Sequence, residues 1–218
     1  MKGLAKHTEK VIERISMMDS IRPYILVGGT ALSLQIGTRQ SEDLDFMKWK
    51  ENPKDKSEVA WYKIKKELEL MGNVESVNIF DFDMAEFVFE GVKLSFYSAP
   101  RKRPVDLKEI PFINNIRLAD IASIGVMKLE VMFRRNTFRD YYDIYSILKE
   151  GIDLWTILRK AIVHSENKFK EKNILIILSN GERFIKDRKF TQLNPVYDVS
   201  PKDIQDFIIR LTEPKHNI

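Results

Sequence analysis

The sequence predicts an α+β protein, a mixed β-sheet with flanking helices followed by a C-terminal helical part. Three observations predict it. Extended runs crowd the first half, at "PYILVGG", "EDLDFM", "VESVNIF", "MAEFVFE" and "VKLSFYS". Helical spacing takes over beyond "APRKRPVDLKEIP", a boundary stretch that holds three of the eight prolines. With 218 residues, 44% of them hydrophobic, the chain is long enough to bury a substantial core. The expected division is a sheet domain at residues 1–110 and a helical domain at residues 111–218.

Leu4, Val11, Ile15 and Met18 recur at helical spacing, so residues 4–19 read as an amphipathic helix. "PYILVGG" is a buried strand, and "TALSLQIG" a short helix closed by Gly37. In "EDLDFM", Leu44 and Phe46 face one way and Asp43 and Asp45 the other. A helix over residues 57–71 buries Ile64, Leu68 and Met71. Of the three extended runs after it, the last two are joined by Glu90–Gly91 as a two-residue hairpin. Helices are then expected at residues 118–135, 138–149 and 154–164. A last one starts at Ser200, where Ser200-Pro201-Lys202-Asp203 supplies an N-cap, a first-turn proline and an acidic third position.

Composition removes several chemistries. The chain has no cysteine, which excludes disulfides, thiolate metal sites and cysteine nucleophiles and fits a reducing cytosol. Three histidines argue against a histidine-rich metal site. No long uncharged apolar run exists, and "MKGLAKHTEK" lacks a signal-peptide core, so a cytoplasmic protein without a membrane segment is expected. The net charge of +4 permits a polyanionic partner without requiring one, because 36 basic residues face 32 acidic ones.

Chemistry concentrates in "YILVGGTALSLQIGTRQSEDLDFM", read as strand, tight turn, helix, strand. Gly28 and Gly29 leave room for a phosphate to approach backbone N–H groups at a helix start. Thr30 either caps that helix or bonds a phosphate oxygen. Asp43 and Asp45 point the same way, and two carboxylates so placed ask for a cation; Mg²⁺ makes them a hard-oxygen ligand set. The alternative is a strand whose solvent face happens to be acidic.

These residues resemble the glycine-pair and Asp-x-Asp signature of polymerase-beta-like nucleotidyltransferases. More narrowly, they resemble the AbiEii toxin family, with Gly-Gly-Thr-Ala-Leu at residues 28–32 followed by Arg39, Ser41, Asp43, Asp45 and Phe46. Thr38 stands where that family often has histidine. The resemblance implies a nucleotidyltransferase-type sheet in which Asp43 and Asp45 hold Mg²⁺. It also implies that Gly28 and Gly29, with Thr30, Arg39 and Ser41, bind the triphosphate of an NTP, whose nucleoside monophosphate passes to an acceptor hydroxyl as pyrophosphate leaves.

A second stretch, "MKLEVMFRRNTFRDYYDIY", poses its own question, because Lys128 lies in a helix that is apolar almost all round. Either it snorkels to solvent or it reaches phosphate or the aspartate pair. Thr137 and Asp140 fit a capping box, and Arg139 with Asp143 a surface pair. The stretch also resembles the family's Lys-Leu helix followed by Arg-Asp-x-x-Asp. That likeness implies Lys128 as a catalytic, phosphate-contacting lysine. It makes Asp140 a cleft carboxylate that orients the acceptor or acts as base, and Asp143 a support.

The pattern breaks at one place. Many nucleotidyltransferases carry a third carboxylate on a nearby strand, and here that position reads Ser95. Either Asp140 serves instead or the chemistry is weakened; alternatively, if Glu90–Gly91 is the hairpin turn, Glu86 falls opposite Ser95 and either projects beside the aspartates or belongs to a solvent face with Glu90. The "DFD" at residues 81–83 lacks a glycine turn and reads as strand-end solvation.

The leading expectation is a Mg²⁺-dependent nucleotidyltransferase acting on RNA, at tRNA ends, as the toxin of a type IV pair whose antitoxin is a partner at gene level. "PRKRP" and "RKAIVHSENKFKEK" are basic runs that suit a phosphate backbone, or are simply solvated faces. The alternatives are a small-molecule or protein acceptor, and a degenerate nucleotide-binding module without catalysis.

Overall fold

The structure, a computed structural model, describes residues 1–213 apart from Pro53, Val105 and Asp187. It forms two compact units, Met1–Asp120 and the residues from Ile121 onward.

In the first unit the order is α1 (Lys6–Ile15), β1 (Ile25–Val27), α2 (Gly28–Ile36), β2 (Leu44–Lys50), α3 (Trp61–Met71), β3 (Val74–Asp81), β4 (Met84–Phe89), β5 (Val92–Lys102), β6 (Glu109–Ile113) and β7 (Ile116–Ala119). Among the described residues the strands make one sheet in the order β3-β4-β5-β2-β1-β7-β6. It is mixed, as expected: β1 runs antiparallel to β2 and parallel to β7, while β2 and β5 are parallel. One face is apolar. Leu44, Phe46, Leu94, Phe96, Ala85 and Phe87 are all buried, with Phe46 stacked on Phe96 at 5.1 Å and Tyr24 edge-on to Phe96 at 5.3 Å. The strand alternation that buries these side chains sends their neighbours to the opposite face, and that face carries the polar residues discussed below.

The Glu90–Gly91 hairpin forms as predicted, with Phe89 paired to Val92 and Glu86 to Ser95. Both turn residues have positive φ, 50° and 75°, the requirement of a tight I′ connection. Differences lie at element ends and in short elements that the sequence did not mark, β6 and β7 among them. The first helix begins at Lys6, because Leu4 instead bridges to Ser41. The helix expected from residue 57 begins at Trp61. Leu118 belongs to β7, where it pairs with Leu26 and Ile110, so the helix expected from there starts at Ile121. The sheet thus continues past residue 110. Pro111 sits within β6, which is tolerated because β6 is the edge strand.

The second unit comprises α4 (Ile121–Met132), α5 (Phe138–Lys149), α6 (Leu154–His164), α7 (Glu171–Leu178), a 3-10 turn (Gly181–Arg183), α8 (Arg188–Thr191) and α9 (Pro201–Thr212). Its core is aromatic: Tyr141 stacks on Phe184 at 4.2 Å, and Phe138 and Tyr142 both pack edge-on against Phe190. The predicted capping box of α9 is present, Ser200 and Asp203 each satisfying the other's backbone N–H. Among the described residues no helix is long and apolar enough to cross a membrane.

Candidate active site

The polar face of the sheet is organised around the β1–α2 junction. The helix starts at Gly28 itself, with Val27 as N-cap. Thr30 is therefore already inside α2 and does not cap it, contrary to one expectation. Its hydroxyl sits 2.8 Å from the Ser41 Oγ and also donates to the Asp43 carbonyl, so it ties the helix to the approach of β2. Gly28 has φ +68°, in the region that side chains avoid. A Cβ there would lie 2.9 Å from Oδ2 of Asp45. A Cβ on Gly29 would lie 2.3 Å from Nη2 of Arg39, which is only 2% exposed and donates from Nη1 to the Gln40 carbonyl at 2.8 Å. Each glycine thus admits a charged group against the backbone, a carboxylate at the first and a guanidinium at the second.

Asp45 pairs in register with Val27 on one side and Ser95 on the other. Asp43 precedes β2 by one residue and, like Asp45, is half-buried, while Leu44 and Phe46 are fully buried. The predicted separation of acid and apolar faces therefore holds. Lys93 of β5 reaches Asp43, with its Nζ 3.7 Å from Oδ2. Ser95 is fully buried and its Oγ has no hydrogen-bond partner. Glu86 is opposite Ser95 as expected. Among the described residues, however, no three Asp, Glu or His side chains gather as a ligand set, so Glu86 does not complete a triad with the two aspartates. A pair suits Mg²⁺, which commonly takes one or two protein carboxylates and leaves its other positions to water and substrate phosphates.

Gly28→Ala is expected to lower activity by about 10²-fold and stability by roughly 1–2 kcal/mol, since the methyl group both strains the backbone and displaces the Asp45 carboxylate. Steady-state rates beside a urea melt check it. A variant with near-normal turnover would show that the contact between turn and carboxylate is unimportant.

The second predicted block lies in the helical unit. Lys128 does not snorkel: it is buried, with Nζ 2.8 Å from Asp140 Oδ1 and 2.6 Å from Asp143 Oδ2. Arg135 binds Asp140 with two nitrogens, Nε at 2.8 Å and Nη2 at 3.1 Å, and the Thr137 hydroxyl donates to the same carboxylate. The capping box expected at Thr137 is absent, because both side chains are engaged with each other and not with backbone N–H groups. Nor is Asp143 a surface partner of Arg139; it is fully buried on Lys128. Burial alone would push the Asp140 carboxyl up. The Lys128 ammonium, with hydrogen bonds from Arg135, Lys128 and Thr137, instead holds it well below the usual carboxylate range. Sequence spacing identified these residues but not this ion cluster, which the α4–α5 packing creates.

A glycine turn opening a helix, with Asp45 of the adjacent strand of a mixed sheet set against it, suits a nucleotidyltransferase. Over residues 12–217 the chain matches the family described as nucleotidyl transferase AbiEii toxin of type IV toxin–antitoxin systems, and it belongs to that family. An uncharacterized protein of Aquifex aeolicus strain VF5 is 28% identical over 216 residues, 96% of each chain. Two solved structures share the fold. The nucleotidyltransferase toxin MenT4 of Mycobacterium tuberculosis H37Rv superposes with a TM-score of 0.60 at 16% identity, covering 96% of this chain and 84% of that one. A candidate nucleotidyltransferase from H. pylori superposes with a TM-score of 0.52 at 17% identity, covering 96% and 100%.

Proposed function

We propose that this toxin-family nucleotidyltransferase transfers a nucleoside monophosphate from a Mg²⁺-bound NTP to a hydroxyl at the end of an RNA, a tRNA being the favoured acceptor. The observation that supports the reading is the abutment of the Asp45 carboxylate on the glycine turn, as a metal ligand beside a phosphate cradle would require. Asp43 and Asp45 would hold the metal, which when bound offsets the charge on the transferring and leaving phosphates. The first N–H groups of α2 have no intrahelical partners and would donate to oxygens of the triphosphate. Thr30, Arg39 and Ser41, all buried, contribute by fixing that turn. In the transfer the acceptor oxygen bonds the α-phosphorus as its bond to the β-phosphate bridging oxygen breaks. Pyrophosphate leaves, and the hydroxyl proton passes to solvent.

For Lys128, whose ammonium is held by Asp140 and Asp143, the proposed role is contact with phosphate. Asp140, held ionised far below neutral pH, is a poor proton acceptor, so its proposed part is to position Lys128. The RNA acceptor is supported by exposed cations of the two basic runs, among them Lys102, Arg159, Lys168 and Lys170. A proteinaceous antitoxin and a cytoplasmic setting complete the reading.

The test is incubation of the protein with each α-labelled NTP, Mg²⁺ and total RNA. Label is expected in RNA of tRNA size. Label in protein or in a small compound would replace the acceptor, and nucleotide binding without any pyrophosphate release would replace the enzymatic reading with a binding module.

A further inference from the structure

We propose that Lys93 is a built-in counter-ion of the acid pair, which weakens the hold of Asp43 on a divalent ion that arrives without a nucleotide. The proposal rests on the reading of Asp43 and Asp45 as metal ligands. Nζ of Lys93 lies 3.7 Å from Oδ2 of Asp43, and the two side chains are 42% and 40% exposed. The strands impose this neighbourhood. Parallel pairing sets Leu44 beside Leu94 and Asp45 beside Ser95, so one step back along both strands brings Asp43 beside Lys93. Lys93 and Ser95 share a face of β5, which thus offers the acid pair a cation and a neutral hydroxyl where further acid would strengthen metal binding.

An ammonium and a divalent cation cannot both neutralise the same carboxylate without repelling each other. A half-exposed ion pair is weak, so the ammonium is displaced at small cost rather than locked in place. Metal alone gains less from Asp43, because it must displace the ammonium and leaves Lys93 beside its own positive charge. Metal that brings a triphosphate supplies new oxygens for the freed ammonium. Lys93 thereby lowers occupation of the site by metal alone.

The measurement is Mn²⁺ binding by electron paramagnetic resonance, without nucleotide, on the intact protein. Lys93→Met is expected to tighten Mn²⁺ binding roughly two- to fivefold, the size of a half-exposed ion pair. Lys93→Arg is expected to stay near wild type, and Asp43→Ala to abolish the gain when combined with Lys93→Met. Unchanged or weaker Mn²⁺ binding in Lys93→Met, with Asp43→Ala still losing the metal, overturns the counter-ion alone. Undiminished Mn²⁺ binding in Asp43→Ala overturns the metal-ligand reading together with it.

Discussion

Asp45→Asn is expected to reduce nucleotidyl transfer by about 10³-fold while leaving the protein folded. The substitution preserves shape and removes one negative charge from the residue that lies against the Gly28 turn. Metal affinity falls because an amide is a weaker ligand than a carboxylate, and the transferring phosphates lose part of their charge compensation. Little stability is at stake: Asp45 is half-buried, its core-facing neighbours Leu44 and Phe46 are untouched, and the pairing to Val27 and Ser95 is made by backbone. Single-turnover rates with excess enzyme, compared with a thermal melt, separate the two effects. A variant that retains even a tenth of the rate would remove Asp45 from the chemistry.

That site was legible in the sequence because its parts are local. Gly28, Gly29, Asp43 and Asp45 lie within one strand–helix–strand unit, where period-2 alternation alone says which side chains share a face. The hairpin register was legible for the same reason, since two turn residues with positive φ fix which residues face each other. What escaped was set by partners distant in sequence. Strands β6 and β7 are short, β6 contains a proline, and among the described residues β7 pairs with β1 at Leu26, so nothing in their own spacing marked them. Helices α7 and α8 are brief and fall in or near charged stretches. Lys93 was invisible as a counter-ion because its meaning depends on β5 lying parallel to β2, a crossover no local pattern announces.

The ion cluster of the helical unit carries the second large expectation. Lys128→Met should destabilise the protein by about 3–5 kcal/mol, because it leaves the fully buried Asp140 and Asp143 without the ammonium that neutralises both. Arg135 still compensates Asp140, but the Asp143 carboxylate loses the partner it shares with Asp140. The effect should depend on acidity in a definite direction. In the native protein the Asp140 carboxyl is held below its unfolded value, so its stabilisation is complete above about pH 4 and drains away as pH falls toward the folded value. Without Lys128 that depression relaxes, and the variant should lose less stability than the native protein between about pH 4 and pH 2. Urea unfolding at a series of pH values tests both claims. If Lys128→Met melts within about 1 kcal/mol of the native protein yet no longer transfers nucleotide, the lysine acts on substrate and the cluster's structural role is refuted.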